Sequence, residues 1–142
     1  MIKPASLRTT IFEALPTLGR DPDKFLCFID SGQLLATGVP ASSWEYRYQL
    51  NLILTDFAGK PDALFLPIVR WLHIHQPELL ANDQLREHAI AFEVDILDDE
   101  RVDIAVRIPL RESVIASADG GGQLVHPPEP MPAASDWSSV GL

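Results

Sequence analysis

Cysteine is almost absent from this sequence, in which Cys27 is the single thiol among 142 residues. One thiol cannot form a disulfide within the chain. Cys27 lies in the apolar run Phe25–Ile29, which favours a small buried hydrophobe over a reactive nucleophile. We therefore expect an intracellular protein whose cysteine has a packing role.

The chain also lacks a long apolar segment. No stretch approaches the roughly 20 apolar residues that a membrane-spanning helix requires. The first eight residues, Met-Ile-Lys-Pro-Ala-Ser-Leu-Arg, contain basic residues but no long apolar run after them. We expect neither membrane insertion nor secretion by a signal peptide.

Basic residues are scarce, with 11 Lys and Arg against 20 Asp and Glu and a net charge of −9. Because nucleic-acid phosphates are attracted to basic patches, this balance predicts no specific nucleic-acid binding. The length and the 46% apolar content suit one domain with a packed core.

Motifs for catalysis or metal binding are missing as well. His73 and His75 would point about 200° apart on a helix, so they cannot share a metal without distortion. The acidic residues 98–100 lack the spacing of a calcium loop, and the glycines 120–122 do not lie between a strand and a helix. We expect no catalytic residue, no metal and no cofactor; a small hydrolase or metal enzyme would depend on His73, His75 and scattered carboxylates alone.

The clearest structural pattern is the segment Glu45–Phe57. Positions 46, 48, 50, 52 and 54 are aromatic or leucine, and positions 45, 47, 49, 51 and 55 are polar. This period of two predicts a long central strand. Turn residues at 57–62 follow it, and helical spacing continues from 63 to 76. A strand that leads into an amphipathic helix is the predicted core unit.

One face of this strand should meet the helices. The other face has polar residues around Ile53, and apolar residues at 52–54 occur on both sides, as in a strand that is covered on both faces. We therefore predict that Arg47, Gln49 and Asn51 contact a neighbouring subunit or another partner.

The remaining elements follow from spacing and turn chemistry. An apolar stripe over 7–18 predicts a first helix that ends or kinks near Ala14, before Pro16. Runs at 25–29 and 33–37 around Asp-Ser-Gly predict a hairpin of short strands. In the second helix Pro67 implies a later start or a kink, and Pro77 ends it. The alternating runs 88–96 and 102–110, joined by an acidic turn, predict a second hairpin, with Pro109 at an edge or a strand end.

These elements predict an α+β fold with a mostly antiparallel or mixed sheet packed by two helices. Residues 1–118 form the predicted single domain, and residues 119–142 form a Gly/Pro-rich C-terminal arm, because the sequence after Arg111 contains no Lys or Arg and is rich in proline. Pro127, Pro128 and Trp137 are candidate partner contacts. Trp137 either docks onto this protein or a neighbour or stays disordered, whereas Trp44 and Trp71 are expected in the core.

Several motifs in this order carry a family resemblance. They are Lys3-Pro4-x-Ser6-Leu7-Arg8, Tyr48-x-Leu50-Asn51-x-Ile53-x-Thr55-Asp56-Phe57, Pro67-x-x-x-Trp71-Leu72, Gln76-Pro77, the Asp95-Ile96 hairpin and the late Pro-Glu-Pro. Together they resemble the phage tail completion protein R (GpR) family of contractile-tailed temperate bacteriophages.

The resemblance implies a virion structural protein that completes or terminates the tail at its head-proximal end before head joining. Related tail terminators look like α/β rings, often hexameric, so the resemblance also implies a homo-oligomeric ring in the virion tail, assembled in the host cytoplasm. The implied partners are tail tube or sheath proteins and other tail completion or head-joining proteins. The family supplies no catalytic residues. The alternative is an assembly adaptor or chaperone that is not retained in the particle.

Overall fold

An antiparallel sheet with helices packed on one face forms the computed structural model, which describes residues 1–36, 43–116 and 124–127. In chain order the elements are α1 (Lys3–Ala14), two 3₁₀ turns (Pro16–Gly19 and Pro22–Lys24), β1 (Phe25–Ala36), β2 (Trp44–Phe57), α2 (Pro61–His75), α3 (Glu78–Ala81), α4 (Asp83–Arg86), β3 (Ala91–Ile96), β4 (Val102–Ala116) and β5 (Leu124–Val125).

The sheet order is β1-β2-β4-β3, and every pairing is antiparallel. The short β5 adds to the end of β4, where Val125 pairs with Ile115. The predicted α+β class and the long central strand are confirmed, because β2 lies between β1 and β4.

The even-numbered side chains of β2 form the centre of the core. Tyr48, Leu50, Leu52 and Leu54 are all buried, as their alternation with polar residues predicts. They pack with a single cluster contributed by α1, α2 and β4, whose buried members include Leu7, Ile11, Leu64, Ile68, Leu72, Ile104, Val106 and Ile108.

The two long helices are joined by a polar contact as well as by apolar packing. The indole Nε1 of Trp71, a buried residue of α2, donates to Ser6 Oγ of α1 at 3.0 Å. Trp71 is therefore a core residue, as predicted, whereas Trp44 is half-buried.

The helix boundaries confirm part of the sequence prediction. Helix α1 ends at Ala14, and α2 ends at His75, before Pro77. A later start for α2 is wrong, because the helix begins at Pro61 and continues through Pro67. Proline removes one backbone hydrogen bond there. Pro67 is itself buried, so its ring adds apolar contact that offsets part of this loss.

The predicted first hairpin is wrong. Residues 25–36 form one strand, β1, which pairs with β2 along its whole length. The register shifts by one residue at Asp30, since Ile29 pairs with Leu50 and Ser31 with Gln49, which makes a β-bulge where a turn was predicted. Gly32 permits close approach to β2, because a Cβ at Gly32 would lie 3.1 Å from Tyr48 Cβ.

The second hairpin, β3–β4, is confirmed, and its acidic turn is built around Asp98. Its Oδ1 accepts from the Glu100 N–H at 2.8 Å, and its Oδ2 accepts from Arg101 Nη2 at 2.8 Å. The backbone hydrogen bond from Glu100 and the Arg101 guanidinium lower the pKa of Asp98.

Pro109 lies where the sheet has room for a residue without an N–H. It pairs with Gln49 of β2, but β3 accompanies β4 only as far as Arg107. The side of β4 that β3 would occupy is therefore a sheet edge at Pro109, as the sequence predicts.

Candidate functional site

The side of the sheet opposite α1 and α2 forms the candidate contact surface. Its membership follows from the strand registers, because alternate residues of paired strands share a face. The side chains on this side, which we call the open face, include Leu26 and Phe28 of β1, Glu45, Arg47, Gln49, Asn51 and Ile53 of β2, Asp103, Ala105, Arg107, Pro109 and Arg111 of β4, and Glu93 and Asp95 of β3.

The three contact residues predicted on β2 are thus brought together on one surface. Arg47 is exposed and Gln49 is half-buried, whereas Asn51 is only 8% exposed. The structure describes Pro127, which is exposed, but Pro128 and Trp137 lie outside the described residues. Whether any of them contacts a partner stays a prediction.

Asn51 occupies the centre of the open face. In the register it lies between Phe28 of β1 and Arg107 of β4. Its side-chain Nδ2 is buried and has no hydrogen-bond partner among residues 1–36, 43–116 and 124–127. A buried donor without an acceptor costs about 1–3 kcal/mol, so a covering group with an acceptor oxygen would stabilise this position.

Exposed apolar side chains flank Asn51. Leu26 is 52% exposed and Phe28 is 41% exposed, and both belong to β1. Leu26 lies beside Ile53 in the register, and Ile53 lies beside Ala105. The centre of the open face is therefore apolar, with one unpaired amide.

One end of the open face carries two arginines. Arg47 and Arg111 are directly opposite one another in the β2–β4 ladder, an arrangement that disfavours like charges. Glu45 partly offsets the repulsion between the two guanidinium groups. Its Oε2 lies 3.2 Å from Arg47 Nη2, and its Oε1 lies 3.7 Å from Arg111 Nη1. These guanidinium groups are about half exposed, so the ion pairs contribute little.

A third arginine of the open face lies next to β3. Arg107 Nη2 lies 3.7 Å from Glu93 Oε1, and this carboxylate is largely exposed. Each of the three arginines on the open face therefore lies close to a carboxylate, and Asp95 and Asp103 share this face, so the open face has no excess of positive charge.

Asp56 in the Thr-Asp-Phe motif has a structural role at the other end of β2. Its φ is 54°, which places it in the left-handed region. Its N–H donates to Asp103 Oδ1 at 2.8 Å, and its carboxylate lies 3.0 Å from Arg101 Nη1 and 3.5 Å from Lys24 Nζ. Asp56 therefore fixes the irregular end of β2, between Leu54 and Phe57.

A buried polar cluster on the helical side of the sheet joins the N-terminal residues to β2, β4 and the end of α2. Glu112 of β4 is 4% exposed. Its Oε1 accepts from the N–H groups of Ile2 and Lys3 at 2.8 and 3.1 Å, and its Oε2 accepts from the Tyr48 hydroxyl at 2.6 Å. Lys3 Nζ donates to Gln76 Oε1 and to the Arg111 carbonyl oxygen, both at 2.7 Å.

This cluster ties the start of α1 and the end of α2 to β2 and β4. Burial raises the pKa of Tyr48, and the hydrogen bond to Glu112 and its negative charge raise it further. The hydroxyl therefore stays protonated and acts as a donor. These satisfied contacts favour a structural role over an acid–base one.

The sequence contains one signal for this cluster. Within β4 the residues at even positions from 102 to 114 are apolar except Glu112. Glu112 therefore occupies a position that the alternation assigns to the core. A buried carboxylate requires hydrogen-bond donors around it.

The other chemical candidates do not converge on a site. His73 is exposed, and the ring of His75 stacks on Trp71 with centroids 4.7 Å apart. Among the described residues, no three His, Cys, Asp or Glu side chains are grouped for metal binding. Cys27 is half-buried against the core, and burial raises the pKa of its thiol, opposed by Arg8.

A groove of about 700 Å³ lies between the second half of β1 and the α3–α4 segment. Its lining includes Tyr48, Leu79 and Leu110, and the charged side chains that line it, Arg47, Glu78 and Arg111, are in ion pairs.

None of the helices in the described part of the chain is long and apolar enough to span a bilayer.

Comparison with known proteins gives two matches. The family model of P2 phage tail completion protein R (GpR) matches residues 1–130. The chain is also 35% identical over 136 residues to "Tail completion protein R" of Escherichia phage P2, an alignment that covers 93% of this chain and 88% of that protein. No solved structure matches. Trp137 lies beyond the end of the family match.

Proposed function

This chain belongs to the P2 phage tail completion protein R (GpR) family, and on that premise we propose that it completes the phage tail at its head-proximal end, before head and tail join. It is a structural protein of phage tail assembly. The observation that carries this function is the family match over residues 1–130 together with 35% identity across 93% of the chain.

The placement of the motif residues supports the transfer of function. Lys3, Tyr48 and Gln76 belong to the motifs that carry the resemblance, and all three lie in the buried polar cluster. Ser6 and Trp71, which also belong to those motifs, form the hydrogen bond between α1 and α2. The motif residues that carry the resemblance are therefore contacts that hold this fold together.

The proposed form is a homo-oligomeric ring, with six subunits as the working number, on the end of the tail tube. Two features support it: an open face with exposed apolar side chains, and sheet edges at β1 and β3 that can pair with another chain. The net charge of −9 suits a ring through which DNA passes, because an acidic lumen does not retain phosphates.

The proposed partners are the tail tube or sheath proteins and the proteins that join the tail to the head. The protein would be made in the host cytoplasm and remain in the virion tail. We propose a structural and not an enzymatic role for two reasons. The open face offers a binding surface, and the titratable groups of the buried polar cluster are hydrogen-bonded to one another or to the backbone.

Deletion of the gene in a phage that encodes this chain tests the proposal. Electron microscopy should show free heads together with tails that are unjoined or abnormal in length. Tails of normal length joined to heads in the deletion phage would refute the proposed role.

Mass spectrometry of purified virions separates a retained component from an adaptor or chaperone. A retained ring predicts a fixed copy number of the protein in every particle. Absence from particles, combined with a tail defect in the deletion phage, would instead support the adaptor.

A further inference from the structure

We propose that residues 128–142 dock on the open face, either of their own chain or of a neighbouring copy. This inference goes beyond tail completion, because it assigns an occupant to a surface of the purified protein. It depends on two properties of the open face and on where the described chain leaves β5.

The first property is the apolar centre. Leu26 and Phe28 are exposed next to the half-buried Ile53. The segment 128–142 supplies matching apolar groups, which are Met131, Trp137, Val140 and Leu142. An aromatic side chain in a proline-rich segment gains most by covering such a surface, since burial stabilises in proportion to apolar area.

The second property is the unpaired amide of Asn51. Its buried Nδ2 needs an acceptor that the described residues do not provide. A proline-rich chain offers carbonyl oxygens that have no internal hydrogen bonds. Three prolines, at positions 128, 130 and 132, open the segment, so its first residues present acceptors with few competing donors.

The segment 128–142 is long enough to reach the open face from the end of β5. Pro127 follows β5, which pairs with Ile115 and Ala116, only a few residues past Arg111 in β4. Residues 128–142 span about 45 Å at roughly 3.1 Å per residue in a polyproline II conformation. Crossing four strands takes about 14 Å at roughly 4.8 Å between neighbours. The segment can thus cross its own sheet or extend to an adjacent copy.

Photo-crosslinking in the full-length protein tests the proposal. Trp137 is replaced by the photoreactive residue p-benzoylphenylalanine, the purified protein is irradiated, and crosslinked peptides are identified by mass spectrometry. We expect crosslinks to the peptides that contain Phe28 and Ile53. A crosslinked dimer on a denaturing gel indicates docking on a neighbouring copy, and a crosslinked monomer indicates docking on the same chain; both agree with the proposal.

A matched pair of variants tests the apolar contribution. Leu26→Ser should lower the crosslinking yield at least about fivefold, because this exposed side chain belongs to the apolar centre of the open face. Leu34→Ser changes a leucine of β1 that is 57% exposed on the other side of the sheet, and it should leave the yield unchanged.

Three results would overturn the proposal. They are crosslinks confined to α1 or α2, a yield no higher than in urea-unfolded protein, and equal yields in the two leucine variants. Circular dichroism of each variant establishes that it is folded. Because the assay uses purified protein without tails, its failure leaves the tail completion role untouched.

Discussion

The hydroxyl of Tyr48 and the carboxylate of Glu112 form a buried hydrogen bond of 2.6 Å between β2 and β4. The same carboxylate holds the N–H groups of Ile2 and Lys3, which belong to the other end of the sequence. One side chain thereby joins the N-terminus of α1 to the centre of the sheet. Loss of any donor leaves a buried charge with fewer partners.

Replacement of Tyr48 by Phe should destabilise the fold. A hydrogen bond to a charged group contributes about 1.5–3 kcal/mol, so we expect the free energy of unfolding in urea to fall by an amount in that range. Tyr46→Phe is the matched control, because Tyr46 is half-buried and no hydrogen bond is found for its hydroxyl within the described residues. Equal stabilities of the two variants would show that the Tyr48–Glu112 bond contributes nothing.

Alkaline pH should destabilise the protein through Tyr48. Its pKa in the folded state is raised from the ordinary value of 10.0 by burial and by Glu112. The contribution of Tyr48 to the stability of the fold is fully present below pH 10. Above pH 10 the unfolded chain loses a proton that the folded state keeps, so stability falls by about 1.4 kcal/mol per pH unit from this group.

Urea unfolding between pH 9 and 11 measures this effect. Tyr48→Phe removes the titrating group, so its stability should decline less steeply than that of the unmodified protein. Tyr46→Phe should retain the steeper decline. The same pH dependence in all three proteins would contradict the assignment to Tyr48.

A side chain at Gly32 should disturb the β1–β2 pairing. A Cβ there would lie 3.1 Å from Tyr48 Cβ and 3.3 Å from the Arg47 carbonyl oxygen. We expect Gly32→Ala to lower the free energy of unfolding by about 1 kcal/mol or more. At Gly19 a Cβ would meet nothing within 4 Å, so Gly19→Ala should have no such cost. Thermal unfolding compares the two variants, and a neutral Gly32→Ala would refute the close approach.

The conformation of Asp56 predicts an ordered series of substitutions. At φ 54°, asparagine and glycine are tolerated, whereas alanine meets a steric cost of about 1 kcal/mol. Urea unfolding should therefore rank Asp56→Asn and Asp56→Gly as more stable than Asp56→Ala. The exposed ion pairs with Arg101 and Lys24 contribute little, so their loss cannot produce this order. Alanine as the most stable of the three would contradict the left-handed backbone.

Much of the fold follows from local sequence periods. The alternation in β2 and β4 and the apolar stripes of α1 and α2 predict which side chains enter the core, because each period is fixed by backbone geometry. The grouping of Arg47, Gln49 and Asn51 on one face follows from the same period.

Contacts between distant segments could not be predicted in this way. The Asp-Ser-Gly sequence at 30–32 has turn chemistry, but pairing with the long β2 keeps β1 extended and turns Asp30 into a bulge. The Glu112 bonds join residues 64 to 110 positions apart. The position of Arg111 opposite Arg47 depends on the β2–β4 register, which has no local signal.

Complementation in vitro tests the tail completion role most directly. In the proposed role, lysate from a phage that lacks this gene should contain heads and incomplete tails, and purified protein is added to it. The role predicts that infectious particles appear only when the protein is added, and that electron micrographs then show it at the head-proximal end of the tails. Joining of heads and tails without the protein, or no gain in infectious particles when folded protein is added, would contradict the role.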